Sequence, residues 1–198
     1  MRSLPRTLAA QPRDLILRHW EQGPGGGYAA QPYDDGGGVM TIGWGHRIRI
    51  TDRLIPPLDP AGAERLLAAD IDVAAIWADA HVPAGAPPAF FDAVVQLAFN
   101  AGIGKLDRAP HTLAAIRSGD TLQFARMVLQ WRFQKGRPLA GLIRRRAEEV
   151  THAFGRAPAA VLAVRETLGG LSSSAVIAMK PLHLLSLAAG RTLTGERP

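Results

Sequence analysis

Tyr33-Asp34-Asp35-Gly36-Gly37-Gly38-Val39-Met40-Thr41-Ile42-Gly43-Trp44-Gly45-His46 is the stretch on which the reading of this chain turns. Val39 to Ile42 is β-prone. The run from Asp34 to Gly38 is a turn signal, because Asp bonds its own backbone and Gly accepts positive φ. A small, twisted β-hairpin or three-stranded sheet is expected. Strand alternation places Met40 and Ile42 toward the core and Thr41, with Val39 and Gly43, on the other face. Upstream, the segment from Asp14 to Trp20 has helical periodicity, and Gly23, Pro24 and Gly25-Gly26-Gly27 forbid its continuation. Glu21 thus falls at the C-terminal end of a short helix.

Downstream the pattern turns helical. Asp59-Pro60 is an N-cap followed by proline at the first helical position, and Ala63, Leu66, Leu67, Ile71, Ala74, Ala75 and Ala78 follow at helical spacing. A second helix starts near Pro88 and ends at Gly102. A third runs from about His111 to Ser118, stopped by Gly119. Asp120 caps a fourth, expected to reach about Phe133, and a fifth spans Pro138 to Phe154. A small glycine-rich sheet followed by a helical body is an α+β arrangement with a cleft where the lobes meet.

The chain has 198 residues, 47% of them hydrophobic, enough for a packed core. It has no cysteine, which excludes a disulfide framework and a thiolate metal site. Its formal charge of +6 suits an anionic partner, whether nucleic acid, membrane or cell envelope, and equally plain solubility. The N-terminus starts basic, but no apolar run of signal-peptide length follows. No stretch reaches the roughly 20 apolar residues of a membrane span. The longest, Ala175 to Gly190, is interrupted by Lys180-Pro181.

Glu21 and Asp35 occupy contrasting settings. A helix C-terminus favours the neutral acid, and Trp20 and Tyr28 are candidates for its apolar surroundings. A carboxylate in an open, glycine-lined turn stays ionised. Such a pair can supply the acid and the base that glycosidic cleavage requires. On its own the pair decides nothing, since most carboxylates are solvated surface charges.

The surrounding pattern carries more. Glu21, Asp35 and the string Thr41-Ile42-Gly43-Trp44-Gly45-His46 resemble the active-site signature of the phage-type lysozymes, glycoside hydrolase family 24. Leu58-Asp59-Pro60 with Leu66-Leu67 is similar to the family's lobe-linking helix. Phe90-Phe91-Asp92-Ala93 with Leu97 to Gly102 resembles its central helix, and Gly141 to Glu149 its closing helix. The resemblance covers roughly residues 12–156. It leaves 1–11 as an N-terminal leader and 157–198 as a C-terminal extension, helical or partly disordered.

The resemblance implies a lysozyme-like fold and an endolysin or muramidase that hydrolyses the β-1,4 bond between N-acetylmuramic acid and N-acetylglucosamine, without cofactor or metal. Inversion at the anomeric carbon is expected. Glu21 takes the place of the general acid. Asp35, six residues before Thr41, takes the aspartate position rather than Asp34. Thr41 takes the place of the residue that helps hold the attacking water. Glu21 stands 14 residues before Asp35, farther than the family's usual interval, and the surplus falls in the Gly23 to Ala30 loop. Alternatives are a lytic transglycosylase, which needs no water-directing Asp35 and Thr41, and a non-catalytic envelope-binding protein on the same fold.

Supporting or substrate-binding candidates are Tyr33, Gly43, His46 and Asn100. His46 is read as a structural histidine held by backbone or a carboxylate, with a supporting role toward Glu21. Gly43 and Gly45 would let a sugar chain approach closely. Asn100 is either a substrate contact or a helix C-cap. Trp131 is read as core, and Arg144 to Arg146 as ion pairs on a solvated face. The expected partner is the peptidoglycan glycan strand, met by a monomer with no specific nucleic acid. Leu182, Leu184, Leu185 and Leu187 in the basic extension offer an amphipathic segment for an anionic membrane or the envelope, against the plainer alternative of an extra packed helix. The extension is expected to be dispensable for cleavage of purified walls. With no export signal recognised, the expected location is the host cytoplasm until a holin-type release.

Overall fold

In this computed structural model residues 6–36 and 38–190 are described. The chain enters through a docked extended segment. Arg6 pairs with Asp79 at 2.6 Å and donates to the Val82 carbonyl at 2.8 Å. Ala9 N–H donates to Asp92, and Leu8 is buried. From residue 6 onward the expected leader is therefore part of the packed molecule; residues 1–5 lie outside the described ones.

A helical rod follows in three parts: α1 (Ala10–Pro12), a π-helical turn (Arg13–Leu17) and α2 (Arg18–Trp20). Ile16 and Leu17 are fully buried. Glu21 ends the rod at φ −105° and ψ 22°, its N–H donating to Leu17 O. The next residues form a tight loop in which Gly23 N–H donates to Gly27 O at 2.8 Å. Gly26 and Gly27 take φ of +79° and +66°, which is why glycine is needed there.

The chain then folds into an antiparallel sheet of β1 (Ala29–Asp34), β2 (Met40–Gly43) and β3 (His46–Arg47), in the order β1-β2-β3. Tyr33 faces Thr41 across the first pair, and Thr41 faces Arg47 across the second. The register slips between Ala29 and Tyr33, where β1 bulges. The expected alternation holds for Ile42, which is buried, but not for Met40. Met40 sits at the strand's outer end, 49% exposed, because no helix covers that end.

Helix α3 (Pro60–His81) links sheet to body. Asp59 accepts from Gly62 N–H at 2.5 Å and Pro60 fills the first position. The central helix α4 (Pro88–Ala101) buries an almost unbroken run from Phe90 to Ala98. Helices α5 (Ile103–Leu106), α6 (Pro110–Ser118) and α7 (Thr121–Val128) follow. Gly119 closes α6 in the left-handed region and Asp120 caps α7 through Leu122 and Gln123 N–H. Helix α7 stops at Val128, short of the expected Phe133. Phe133 belongs instead to a hairpin of β4 (Phe133–Gln134) and β5 (Arg137–Pro138), turned by Lys135 and Gly136, both at positive φ. Pro138 is thus in a strand, and α8 spans Ala140–Ala153.

Beyond α8 lie α9 (Pro158–Gly169), α10 (Ser173–Ala178) and α11 (Pro181–Ala189). Val164, Leu168, Val176, Leu184, Leu185 and Ala188 join the same core as Phe90 and Ile143. The leucines read as a membrane-facing segment are turned inward: Leu184 and Leu185 are buried, and Leu187 packs on the core. Residues 191–198 lie outside the described ones. Among the described residues no helix is long and apolar enough to cross a membrane.

Candidate active site

The sheet and the helical body enclose a cleft that Glu21, Tyr33, Asp35, Thr41 and Asn100 all line. Its far wall carries Trp131, Phe133 and Gln134, brought there by the hairpin that follows α7. Trp131 has a double character. It packs against the core with its indole N–H donated to Thr112 at 3.0 Å, and it also shows a face to the cleft.

Glu21 lies on the cleft floor with its side chain only 14% exposed. Arg145 on α8 bonds to its carboxylate and also to Glu149, at 2.9 Å. Burial pushes the Glu21 carboxyl above the usual glutamate range, and the Arg145 guanidinium opposes this without cancelling it. For Arg145 itself, burial would lower the pKa, but the two carboxylates overcome that and hold it above its ordinary value. A carboxyl that keeps its proton and is held in one place by a fixed donor is suited to general acid chemistry. Its immediate surroundings are Arg145 and Gly45, not the expected Trp20 and Tyr28. The Trp20 indole donates to Glu148, and Tyr28 packs on Trp44.

A side chain at Gly45 would collide with Glu21, its Cβ lying 3.2 Å from Cδ. Gly43 faces Leu58 and Ala63 at the start of α3, at 3.7 and 3.8 Å. The open sides of these glycines are filled by protein, so neither provides the close sugar approach read from the sequence. Gly43 permits the sheet to sit on α3, and Gly45 makes room for the Glu21 carboxyl.

Asp35 stands at the exposed tip of the hairpin, where its N–H donates to Val39 O and its Oδ1 accepts from Val39 N–H. Asp34 serves the turn: its Oδ1 accepts from Gly36 and Gly38 N–H at 2.8 and 3.0 Å. Of the two, Asp35 lines the cleft. Thr41 is buried in β2 at the cleft wall, its hydroxyl donating to Val39 O at 3.3 Å. Tyr33 feels both carboxylates. Burial first, then the charges of Glu21 and Asp35, raise its phenol above the ordinary value.

His46 is held by two carboxylates, Asp70 at Nδ1 (2.7 Å) and Asp52 at Nε2 (3.1 Å). It ties β3 to α3, as a structural histidine should, and its printed partners do not include Glu21. Asn100 does not cap its helix, a place Gly102 takes; its side-chain oxygen accepts from Arg146. Arg146 is buried beside Glu149, 2.7 Å away, and burial lowers its pKa to about 10. Arg145 and Arg146 are therefore not on a solvated face. They form, with Glu149, the charged underside of the cleft. The available signal was their place on the Ile143, Ala147 and Val150 face of α8, with Glu149 three and four residues on.

The sequence pattern of the phage lysozyme family matches residues 25–149. Among solved structures, the muramidase domain of SpmX from Asticaccaulis excentricus aligns with a TM-score of 0.62 at 24% identity, over 75% of this chain and 97% of that one. The endolysin from Escherichia coli O157:H7 phage FAHEc1 aligns at 0.61 and 23%, over 75% and 93%. The P1 phage endolysin Lyz aligns at 0.62 and 20%, over 75% and 85%. No curated protein matches in sequence. Glu21 lies outside the stretch that the family pattern matches, so it is placed in the site by the structure and by the sequence reading alone.

Proposed function

Because the chain belongs to the phage lysozyme family, we propose that it hydrolyses the β-1,4 bond between N-acetylmuramic acid and N-acetylglucosamine in peptidoglycan, as an endolysin. The observation that carries this reading is the contrast between its two cleft carboxyls. Glu21 is buried with its pKa raised, and Asp35 is exposed at the hairpin tip. Glu21 protonates the glycosidic oxygen as the bond to the anomeric carbon breaks. Arg145 keeps the carboxyl pointed at the cleft. Asp35 takes a proton from a water molecule that attacks the opposite face of the sugar, and the Thr41 hydroxyl helps to hold that water. The water-directing pair favours hydrolysis over transglycosylation, in which the sugar's own hydroxyl closes the ring. The chain acts on the wall after release from the cell that makes it. The test is loss of turbidity in permeabilised bacteria, together with release of reducing ends from purified peptidoglycan. Wild-type protein that leaves both unchanged overturns the reading.

A further inference from the structure

The cleft continues past Asp35 into a groove whose outer wall comes from α10, beyond the stretch matched by the family pattern. Ser173 and Ile177 line it, facing Trp20 and Leu142, and it shares Asp35 and Asn100 with the cleft that holds Glu21. Helix α10 is anchored at both ends by arginines from the matched part of the chain. Arg144 donates to the carbonyls of Leu168 and Leu171 at 3.0 and 2.9 Å, just before it. Arg132 donates to the carbonyl of Met179 at 3.3 Å, just after it. Ser172 caps its first turn through Ala175 N–H, and Val176 buries its inner face completely. Ile177 is left 38% exposed on the groove side.

We propose that α10 builds an additional saccharide subsite, taking an N-acetylated hexosamine of the same glycan strand on the Asp35 side of the bond to be cleaved. This rests on the glycan-cleaving reading above. The chemistry fits that ligand: an acetamido methyl and the apolar face of a sugar ring need a surface such as Ile177 with Leu142 and Trp20. The ring hydroxyls need the side chains of Ser173 and Asn100. A wall pinned by two arginines is preorganised, so ordering it costs little on binding.

The experiment compares wild type with I177D, S173K and a control, L162D, at an exposed leucine of α9 away from the groove. All are first checked for native circular dichroism, and S173K carries the test if I177D does not fold. On long purified glycan strands, I177D and S173K should raise KM about 5- to 10-fold, the scale set by withdrawing part of one isoleucine from water. L162D should match wild type. A parallel sedimentation assay on insoluble peptidoglycan, in the E21Q background, should show the same loss of retention. Folded I177D and S173K with wild-type KM and retention would overturn the subsite while hydrolysis stands. Wild type that cleaves nothing, yet is retained on the wall through Ile177, would overturn hydrolysis while the glycan contact stands.

Discussion

Arg165 and Glu148, 17 residues apart in the chain, are joined by a fork of two bonds: Nε to Oε1 at 3.1 Å and Nη2 to Oε2 at 2.6 Å. Glu148 is fully buried and also accepts from the Trp20 indole. The same Arg165 Nη2 donates to the carbonyl of Leu15 at 2.6 Å. One side chain of α9 thus grips α8 and the rod that ends in Glu21. The extension, expected to be dispensable, is tied into the support of the site.

Arg165→Met removes the partner of a buried carboxylate. Breaking such a pair costs about 3 kcal/mol or more, which at this size lowers Tm by roughly 6–12 °C. Truncation after Arg156 removes the fork and the core residues of α9 to α11 together, and should give no cooperative melting transition. Calorimetry of both variants checks this. A truncated protein that melts like wild type would show that the extension is an independent appendage.

Glu21→Gln should reduce peptidoglycan hydrolysis at least about 10²-fold, the usual scale for losing a general acid, with a native circular dichroism spectrum. The raised pKa sets the sign of the pH dependence. Activity needs the protonated form, so it should persist above the ordinary glutamate range and fall as pH passes the raised value. Arg145→Lys weakens the pairing that stabilises the ionised form, so this alkaline limb should move to higher pH. A pH–rate profile for each protein reads both effects, and a limb that does not move with residue 145 would dissociate it from Glu21.

Asp35→Asn should be far more damaging to rate than Asp34→Asn. Asparagine at position 34 keeps the oxygen that accepts from Gly36 and Gly38. At position 35 it loses the charge needed to take a proton from water. Side-by-side initial rates decide, and equal losses would mean that the two aspartates share one role.

His46 should make stability depend on pH. Its hydrogen bond to Asp70, then the one to Asp52, raise its pKa against the opposing pull of burial. A raised folded pKa gives a contribution fully present below the unfolded value, about 6.5, and lost as pH rises through the folded one. Asp52 is lowered by its bond from Arg49 N–H and then by His46. Its contribution is present above about 3.9 and fades as pH falls through the lowered value. Tm measured against pH for wild type and Asp70→Asn should differ most between these limits and converge at alkaline pH. A difference that stays constant into the alkaline range would exclude His46 protonation as its source.

Attack by a water molecule on the face opposite the leaving group inverts the anomeric centre. Proton NMR of freshly released reducing ends should show the α-anomer first, before mutarotation mixes the forms. Initial β product would require a covalent or substrate-assisted route and would remove the water-directing roles of Asp35 and Thr41.

What the sequence displayed was local. Asp59-Pro60, Gly119 and Asp120 announce helix ends through their own backbone chemistry, and Gly23 to Gly27 stops the rod where Glu21 stands. What it concealed depends on partners far along the chain. Arg145 is buried because Glu21, 124 residues earlier, meets it. Arg165 anchors Leu15 across 150 residues. Gly43 looked like a sugar contact because nothing in the string says that α3 lies against it. The hairpin at Phe133 was missed because its strands are two residues long, too short to show alternation.

The π-helical turn at Arg13–Leu17 has a consequence for where Glu21 points. A π turn holds one residue more than an α turn, and each residue of a regular helix advances the chain by about 100°. Removing any one residue from that turn would smooth the rod into ordinary α-helix. It would also rotate everything after it, so that the proposed acid no longer faces Arg145 and the cleft. The aim of Glu21 is thus set by angular phase, and the irregular turn works as the offset that brings it to bear.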